Sequence, residues 1–265
     1  MNEEYTEKHR RLSLNDKFKF SCHKELSCFN TCCNDVNIFL TPYDVLRMRK
    51  ATWLSSGDFL NRYTIALLGD EGLPLIVLKM IEDENKSCPF VTLDGCSIYQ
   101  HRPWSCRMYP IFPVSSKEEE FLVEEKPSCL GFKEGKQWTI EEWKKDQGID
   151  IYDKMNESYK EVTFHNYFSA SGGGNKLDSG KAKMLYMACY DLDKFKRFLF
   201  ETRFFDIYDV EKEVIEKIKE DEEKLLSFGY RWVRFTLFWE DTLRPKDKEM
   251  DKLLQSKREK LGLRT

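Results

Sequence analysis

Apolar positions along this chain fall into two registers. In the first half they come in short runs. Val36, Ile38 and Leu40 alternate with Asn37 and Phe39, a period of two that predicts a short strand. Thr41-Pro42-Tyr43-Asp44 then offers an N-cap, a proline at the first helical position and a carboxylate at the third, so a helix is expected from Pro42 to about Lys50. Ser55-Ser56-Gly57-Asp58 repeats that capping logic for a second helix through Phe59, Leu60 and Tyr63. Gly69 to Gly72 reads as a turn and Leu75 to Met80 as a buried strand. Asp94-Gly95 signals a two-residue hairpin between Cys88 and Cys96. With that turn Leu93 would face Cys96, and the alternation would send Cys88 to the opposite side unless Pro89 breaks the strand.

From Trp138 the spacing becomes helical. Thr139 as cap and Glu142 three residues on make a capping box. Leu185, Ala188, Leu192, Phe195 and Leu199 recur at three and four residues, the stripe of an amphipathic helix with Cys189 beside it as a buried free thiol. Val214, Ile218 and Leu225 predict another helix, ended by Gly229 as a left-handed cap. Tyr230 to Trp239 is so aromatic that it reads as core or as a docking surface, core being the commoner outcome. The tail from Arg244 reads as a solvated helix. Between these helices, Ser171 to Lys181 is glycine-rich and polar, a flexible loop. It fails as a phosphate-binding loop, because Asn175 and Ala182 stand where that motif needs Gly and Ser or Thr, and no strand precedes it.

Composition narrows the class. The chain has 265 residues, 41% of them hydrophobic and 14% aromatic, enough for a real core without covalent staples. Lys plus Arg at 43 against Asp plus Glu at 46 leaves a net charge of -3, which gives no field to draw in nucleic acid. The first residues carry charges of both signs with no apolar run, and the longest apolar run, Leu73 to Leu78, is far short of the roughly 20 residues that span a bilayer. No membrane span and a cytoplasmic location are therefore expected. A protein partner of unidentified kind is left open.

Cysteine changes the picture most. Eight of the nine cysteines lie between Cys22 and Cys129, as Cys22, Cys28, Cys32, Cys33, Cys88, Cys96, Cys106 and Cys129. In a reducing compartment such a density points to metal ligands or redox groups rather than to structural disulfides. Neither the C-x2-C knuckle of a zinc finger nor the C-x2-C-x2-C run of bacterial ferredoxins is present. Adjacent Cys32 and Cys33 suit a cluster, or two neighbouring sites, better than one ion. Arg102 and Arg107 flank Cys106, where they could offset thiolate charge and donate hydrogen bonds to sulfur, or else lie at the surface. His9, His23, His101 and His165 are scattered, with His23 and His101 next to candidate ligands.

Phe20-x-Cys22-x5-Cys28-x3-Cys32-Cys33, Leu40-Thr41-Pro42-x-Asp44, Cys88-Pro89-Phe90 and Cys96-x-Ile98-Tyr99-x2-Arg102-Pro103-x2-Cys106-Arg107-x-Tyr109-Pro110 together resemble the YkgJ-type cysteine-cluster family. The resemblance covers about 18 to 145, and Cys129 with Gly131 and Gly135 is similar to the family's closing segment. Five residues separate Cys22 from Cys28, where the family's label implies two. That family is described as chelating zinc or iron and is often labelled as containing an iron-sulfur cluster. The resemblance thus implies that the eight cysteines are metal ligands, and Arg102 and Arg107, from their places beside Cys106, are the candidate cofactor-binding residues. The implied cofactor is an iron-sulfur cluster, as 4Fe-4S, used for electron transfer, sensing or partner docking, or alternatively zinc in a structural role. Flagellin lysine methylases are similar in the same cluster, which adds a protein-modifying enzyme as a further reading; a thiol redox catalyst, which would need an exposed thiolate of lowered pKa, is the other enzymatic reading. The expected fold is α+β and helix-rich. A flexible leader at 1–17 would precede a cysteine-rich metal-binding module at 18–145 with short strands or a hairpin. A helical region at 146–265 would pack on that module, with a flexible loop at 171–180.

Overall fold

The computed structural model describes residues 10–114, 120–169 and 175–260. Most of the expected leader, residues 1–9, and the first part of the expected loop, residues 171–174, lie outside the described residues. The fold is α+β and helix-rich, and its contacts divide the chain into two compact units. The first takes Met1–Phe39 and Leu78–Asp153, the second Leu40–Val77 and Lys154–Thr265.

The first unit is assembled from short strands. Arg10–Ser13 pairs antiparallel with Glu120–Val123, which pairs in turn with Ile111–Pro113. Lys17–Lys19 pairs with Gln137–Thr139. Residues 10–13, expected in the solvated leader, are thus part of a sheet, because Leu12 alternates with exposed neighbours and goes into the core. That core joins Leu12, Phe18, Phe20, Met108, Ile111 and Trp143 among others. Phe20 sets its ring edge-on to Trp143 at 5.6 Å and to Tyr109 at 6.0 Å. The helix Ile140–Asp146 starts with the expected box. The Glu142 N–H donates to the Thr139 hydroxyl at 3.1 Å, and the Thr139 N–H donates to the Glu142 carboxylate at 2.8 Å.

The hairpin beside the cysteines exists with its turn moved by one residue. Val91, not Leu93, faces Cys96, and Thr92 faces Gly95, so Leu93 and Asp94 are the turn. The Thr92 hydroxyl decides this, donating to the Gly95 carbonyl at 2.8 Å across the turn. Gly95 keeps its special conformation, φ +111°, but as the first residue of the returning strand.

The second unit is built from helices. Pro42–Thr52 and Ser56–Tyr63 begin at the caps Thr41 and Ser55, and the strands Thr64–Leu68 and Pro74–Leu78 lie side by side. The stripe Leu185, Ala188, Leu192, Phe195 and Leu199 is buried, as expected. It belongs to two helices, Ser179–Cys189 and Leu192–Glu201, because Asp191 caps the second and accepts from the Ser56 hydroxyl at 2.7 Å. Gly229 ends no helix. It sits inside Glu222–Phe238, where a Cβ would run into the Ala188 carbonyl, so its bare backbone is what lets two helices touch. The helix closes instead at Trp239, φ 65°. Tyr230, Trp232, Val233, Phe235, Leu237 and Phe238 are buried, so this segment is core. The tail helix Lys248–Lys260 is not wholly solvated either. Arg258 is 1% exposed and donates to the carbonyls of Trp239 and Glu240 and to Asp241 at 2.9 Å.

Candidate functional site: the cysteine cluster

All eight clustered cysteines belong to the first unit, and all nine cysteines of the chain are free thiols. Backbone hydrogen bonds bring the early and late cysteine segments together. The Phe20 and Ser21 N–H groups donate to the carbonyls of Lys136 and Gly131, each at 3.0 Å, which sets Cys22 beside the loop after Cys129. Gly131 carries no side chain there because a Cβ would lie 2.9 Å from both the Phe20 ring and the Ser21 carbonyl. The Leu130 N–H points at Cys28 Sγ, 3.2 Å away. Asn30, at φ 68°, turns the chain into the short helix Thr31–Cys33 and donates its side-chain amide to the Thr92 carbonyl at 2.8 Å. Cys33 is then tied to the other segment through the Cys88 N–H, which donates to the Cys33 carbonyl at 2.9 Å.

Two thiol neighbourhoods result. The first gathers Cys28, Cys32 and Cys129 around Cys22, together with the Tyr109 hydroxyl, which is hydrogen-bonded to Cys129. Cys33, Cys88 and Cys106 form the second, with Cys96 beside Cys88 and Arg102 beside Cys96 and Cys106. Cys32 and Cys33, hydrogen-bonded side chain to side chain, join the two.

The thiols differ sharply in character. The hydrogen bond from Cys33 brings Cys32 down to about 7, with help from a backbone N–H and the Lys126 charge and against the cost of desolvation. Cys33 moves the opposite way because Cys32 holds its proton. Partial loss of water around its sulfur pushes Cys22 up to about 11, although the residue as a whole is exposed, and the charges of Cys32, Cys129 and Cys28 add to that. Cys88 and Cys96 are raised by burial. Tyr109 is raised too, by burial first and then by its bond to Cys129. Lys126 carries no signal in the sequence beyond its closeness to Cys129, and Tyr109 stands there only as part of the motif that follows Cys106.

Arg102 and Arg107 are both buried at 7% exposure, and neither is a surface arginine. Arg102 donates to the Tyr99 carbonyl at 2.7 Å and to the Gln147 side chain, and its guanidinium lies over the Tyr99 ring. Arg107 donates to the carbonyls of Arg102 at 3.0 Å, Gln147 at 2.5 Å and Gln100 at 2.7 Å, and lies over Tyr152. His23 lies between Glu25, 2.7 Å away, and Glu134, 3.6 Å away.

Residues 21–130 match the model of the family described as “CxxCxxCC: Putative zinc- or iron-chelating domain”. The resemblance read from the sequence holds over that segment. No curated protein and no solved structure matches the chain. No helix among the described residues is long and apolar enough to cross a membrane.

What the cysteine-cluster domain does not show is the chelating geometry. Among the described residues, no group of three or more His, Cys, Asp or Glu is disposed to hold a metal ion. Zinc or a 4Fe-4S cluster needs about four donors aimed at one centre. Here individual sulfurs are instead taken up by hydrogen bonds. Cys32 is bonded to Cys33, Cys129 to the Tyr109 hydroxyl, and Cys28 to the Leu130 N–H. The expectation of a metal-binding protein holding an iron-sulfur cluster, or alternatively zinc, is therefore corrected for this chain. The methylase-like enzyme, which rested on the same cluster, is set aside with it.

Proposed function

We propose that the cysteine-cluster domain is a thiol–disulfide exchange module in which Cys32 is the attacking sulfur and Cys22 the resolving one. The observation that carries this reading is an exposed, unpaired Cys32 that accepts a hydrogen bond from the Cys33 thiol and has the exposed Cys22 beside it. A thiolate near neutrality is the form that attacks sulfur, and a neighbour held as a thiol keeps the pair reduced and ready.

The Cys32 thiolate attacks one sulfur of an accessible disulfide, RSSR, on a small molecule or a protein, forming a mixed disulfide and releasing RS⁻. Cys22 gives its proton to that thiolate and attacks Cys32 Sγ, which releases the second RS⁻ to take up a proton from water. One disulfide is reduced to two thiols and the Cys22–Cys32 disulfide is formed. Cys33 is a poor resolving partner for Cys32, because consecutive Cα atoms sit about 3.8 Å apart and disulfides favour about 4.4–6.8 Å. Arg102 and Arg107 hold the turn from Tyr99 to Arg107, and with it Cys106, through their bonds to backbone carbonyls. Nine free thiols suit a reducing cytoplasm, where we place the protein.

Oxidised glutathione tests the assignment. Peptide mapping of the treated, full-length chain is expected to give a Cys22–Cys32 disulfide, and Cys22→Ser is expected to trap glutathione on Cys32. If Cys32 takes up no glutathione in that variant while other thiols do, the reading is wrong.

A further inference from the structure

The chain around Cys33 lies antiparallel to the chain around Cys88, and the register can be read from its bonds. Asn34 forms an isolated antiparallel bridge with Ser87. The Asp35 N–H donates to the Lys86 carbonyl at 3.1 Å and the Cys88 N–H donates to the Cys33 carbonyl at 2.9 Å. These bonds flank the bridge, so Cys33 stands directly opposite Cys88. Cys33 is the last residue of the short helix Thr31–Cys33 and gives its own N–H to the Asn30 carbonyl, so the pair makes one of the two bonds of a regular hydrogen-bonded position, at which opposed Cα atoms are about 5.5 Å apart. That separation lies within the window of about 4.4–6.8 Å that disulfides occupy. Both sulfurs are free, and the charge of one acts on the other.

We propose that Cys33 and Cys88 form a reversible cross-strand disulfide that latches the early cysteine segment of the domain onto the later one. Between these two residues the chain leaves the first unit for residues 40–77, so the bond would join the two ends of that excursion. A loop closed covalently has fewer unfolded conformations to lose, and the oxidised domain is harder to unfold. The oxidant is a disulfide, RSSR. Cys88 loses its proton and attacks, one RSH leaves, and Cys33 then gives up its proton, attacks Cys88 Sγ and releases the second RSH. Two protein thiols are oxidised, one disulfide is reduced, and the two thiol protons end on the two RSH molecules. None of this requires Cys32 or Cys22.

The test uses the full chain in two forms, unsubstituted and with Cys22→Ser and Cys32→Ser together. Each is oxidised with glutathione disulfide, alkylated, digested without reduction and sequenced by mass spectrometry. A Cys33–Cys88 cross-link is expected in both forms, with a rise in Tm on oxidation that disappears when Cys88→Ala is added. Alkylation of both Cys33 and Cys88 after oxidation, or a cross-link from Cys33 to Cys106 in place of Cys88, would overturn the proposal. Because the doubly substituted chain lacks the exchange pair, failure there leaves the role of Cys32 untouched. Conversely, loss of exchange at Cys32 leaves this cross-link standing.

Discussion

Cys32 and Cys189 are the same side chain put to opposite uses by the two units of this protein. Cys189 lies in the helical unit at 0% exposure, and burial raises its thiol far above the ordinary range. Cys32 lies in the strand-built unit, exposed, with a thiol donor and a lysine that favour its thiolate. The helical unit can isolate a thiol because its helices present continuous apolar stripes and one of them, at Gly229, has no side chain in the way. The cysteine-cluster unit carries its sulfurs on short strands, short helices and loops instead. Its loops are held by single hydrogen bonds between distant segments, which leaves polar groups free to act on sulfur.

That contrast can be broken most directly by reactivity. At pH 7 a thiol with its pKa at about 7 is half ionised, whereas one at the ordinary value of 9.0 is about 1% ionised, so Cys32 has about a 50-fold larger reactive fraction. Mass-spectrometric timing of iodoacetamide labelling on native protein should show Cys32 modified first and Cys189 only after denaturant is added.

The next effects concern what holds each unit. Gly229→Ala forces a Cβ onto the Ala188 carbonyl and is expected to cost about 2–3 kcal/mol in urea unfolding of the helical unit. A neutral result would mean that the two helices do not meet as closely as shown. Arg107→Ala leaves the carbonyls of Arg102, Gln147 and Gln100 without their donor and should destabilise the cysteine-cluster unit by about 2 kcal/mol or more. Arg107→Lys should recover only part of that loss, because an ammonium cannot span the same fork. Thr41→Ala and Thr139→Ala each remove a capping box, one per unit, and each should cost about 1 kcal/mol. Equal losses there, each smaller than those at Gly229 and Arg107, would show that local caps behave alike in the two units while the long-range supports carry more.

Those caps were legible in the sequence because a capping box is decided within four residues. Thr41-Pro42-Tyr43-Asp44 and Thr139 with Glu142 needed no knowledge of the rest of the chain. Gly229 was misread because a glycine after an amphipathic stretch looks the same whether it ends a helix or admits another. Only the position of Ala188 distinguishes the two. The turn of the hairpin moved by one residue because the Thr92 hydroxyl outweighed the Asp94-Gly95 signal. Arg258 looked like solvated charge until the carbonyls of Trp239 and Glu240 were placed around it. At the site, the cysteines themselves were plain, and so was the nearness of two arginines to Cys106. Their pairing was not, since spacing says which residues are close in sequence and nothing about which sulfur meets which. The metal expectation failed at that step, where a count of donors was taken for a coordination geometry.

The pH dependence of Cys32 alkylation, measured on full-length protein purified from iron- and zinc-replete cells without any chelator, tests the central claim most directly. The rate is expected to rise about tenfold per pH unit well below 7, to reach half its limit near pH 7 and to level off above it, as a thiolate with this hydrogen bond requires. If Cys32 and its neighbours resist alkylation across that range until metal is stripped away, the sulfurs are ligands and the thiol-exchange assignment is contradicted.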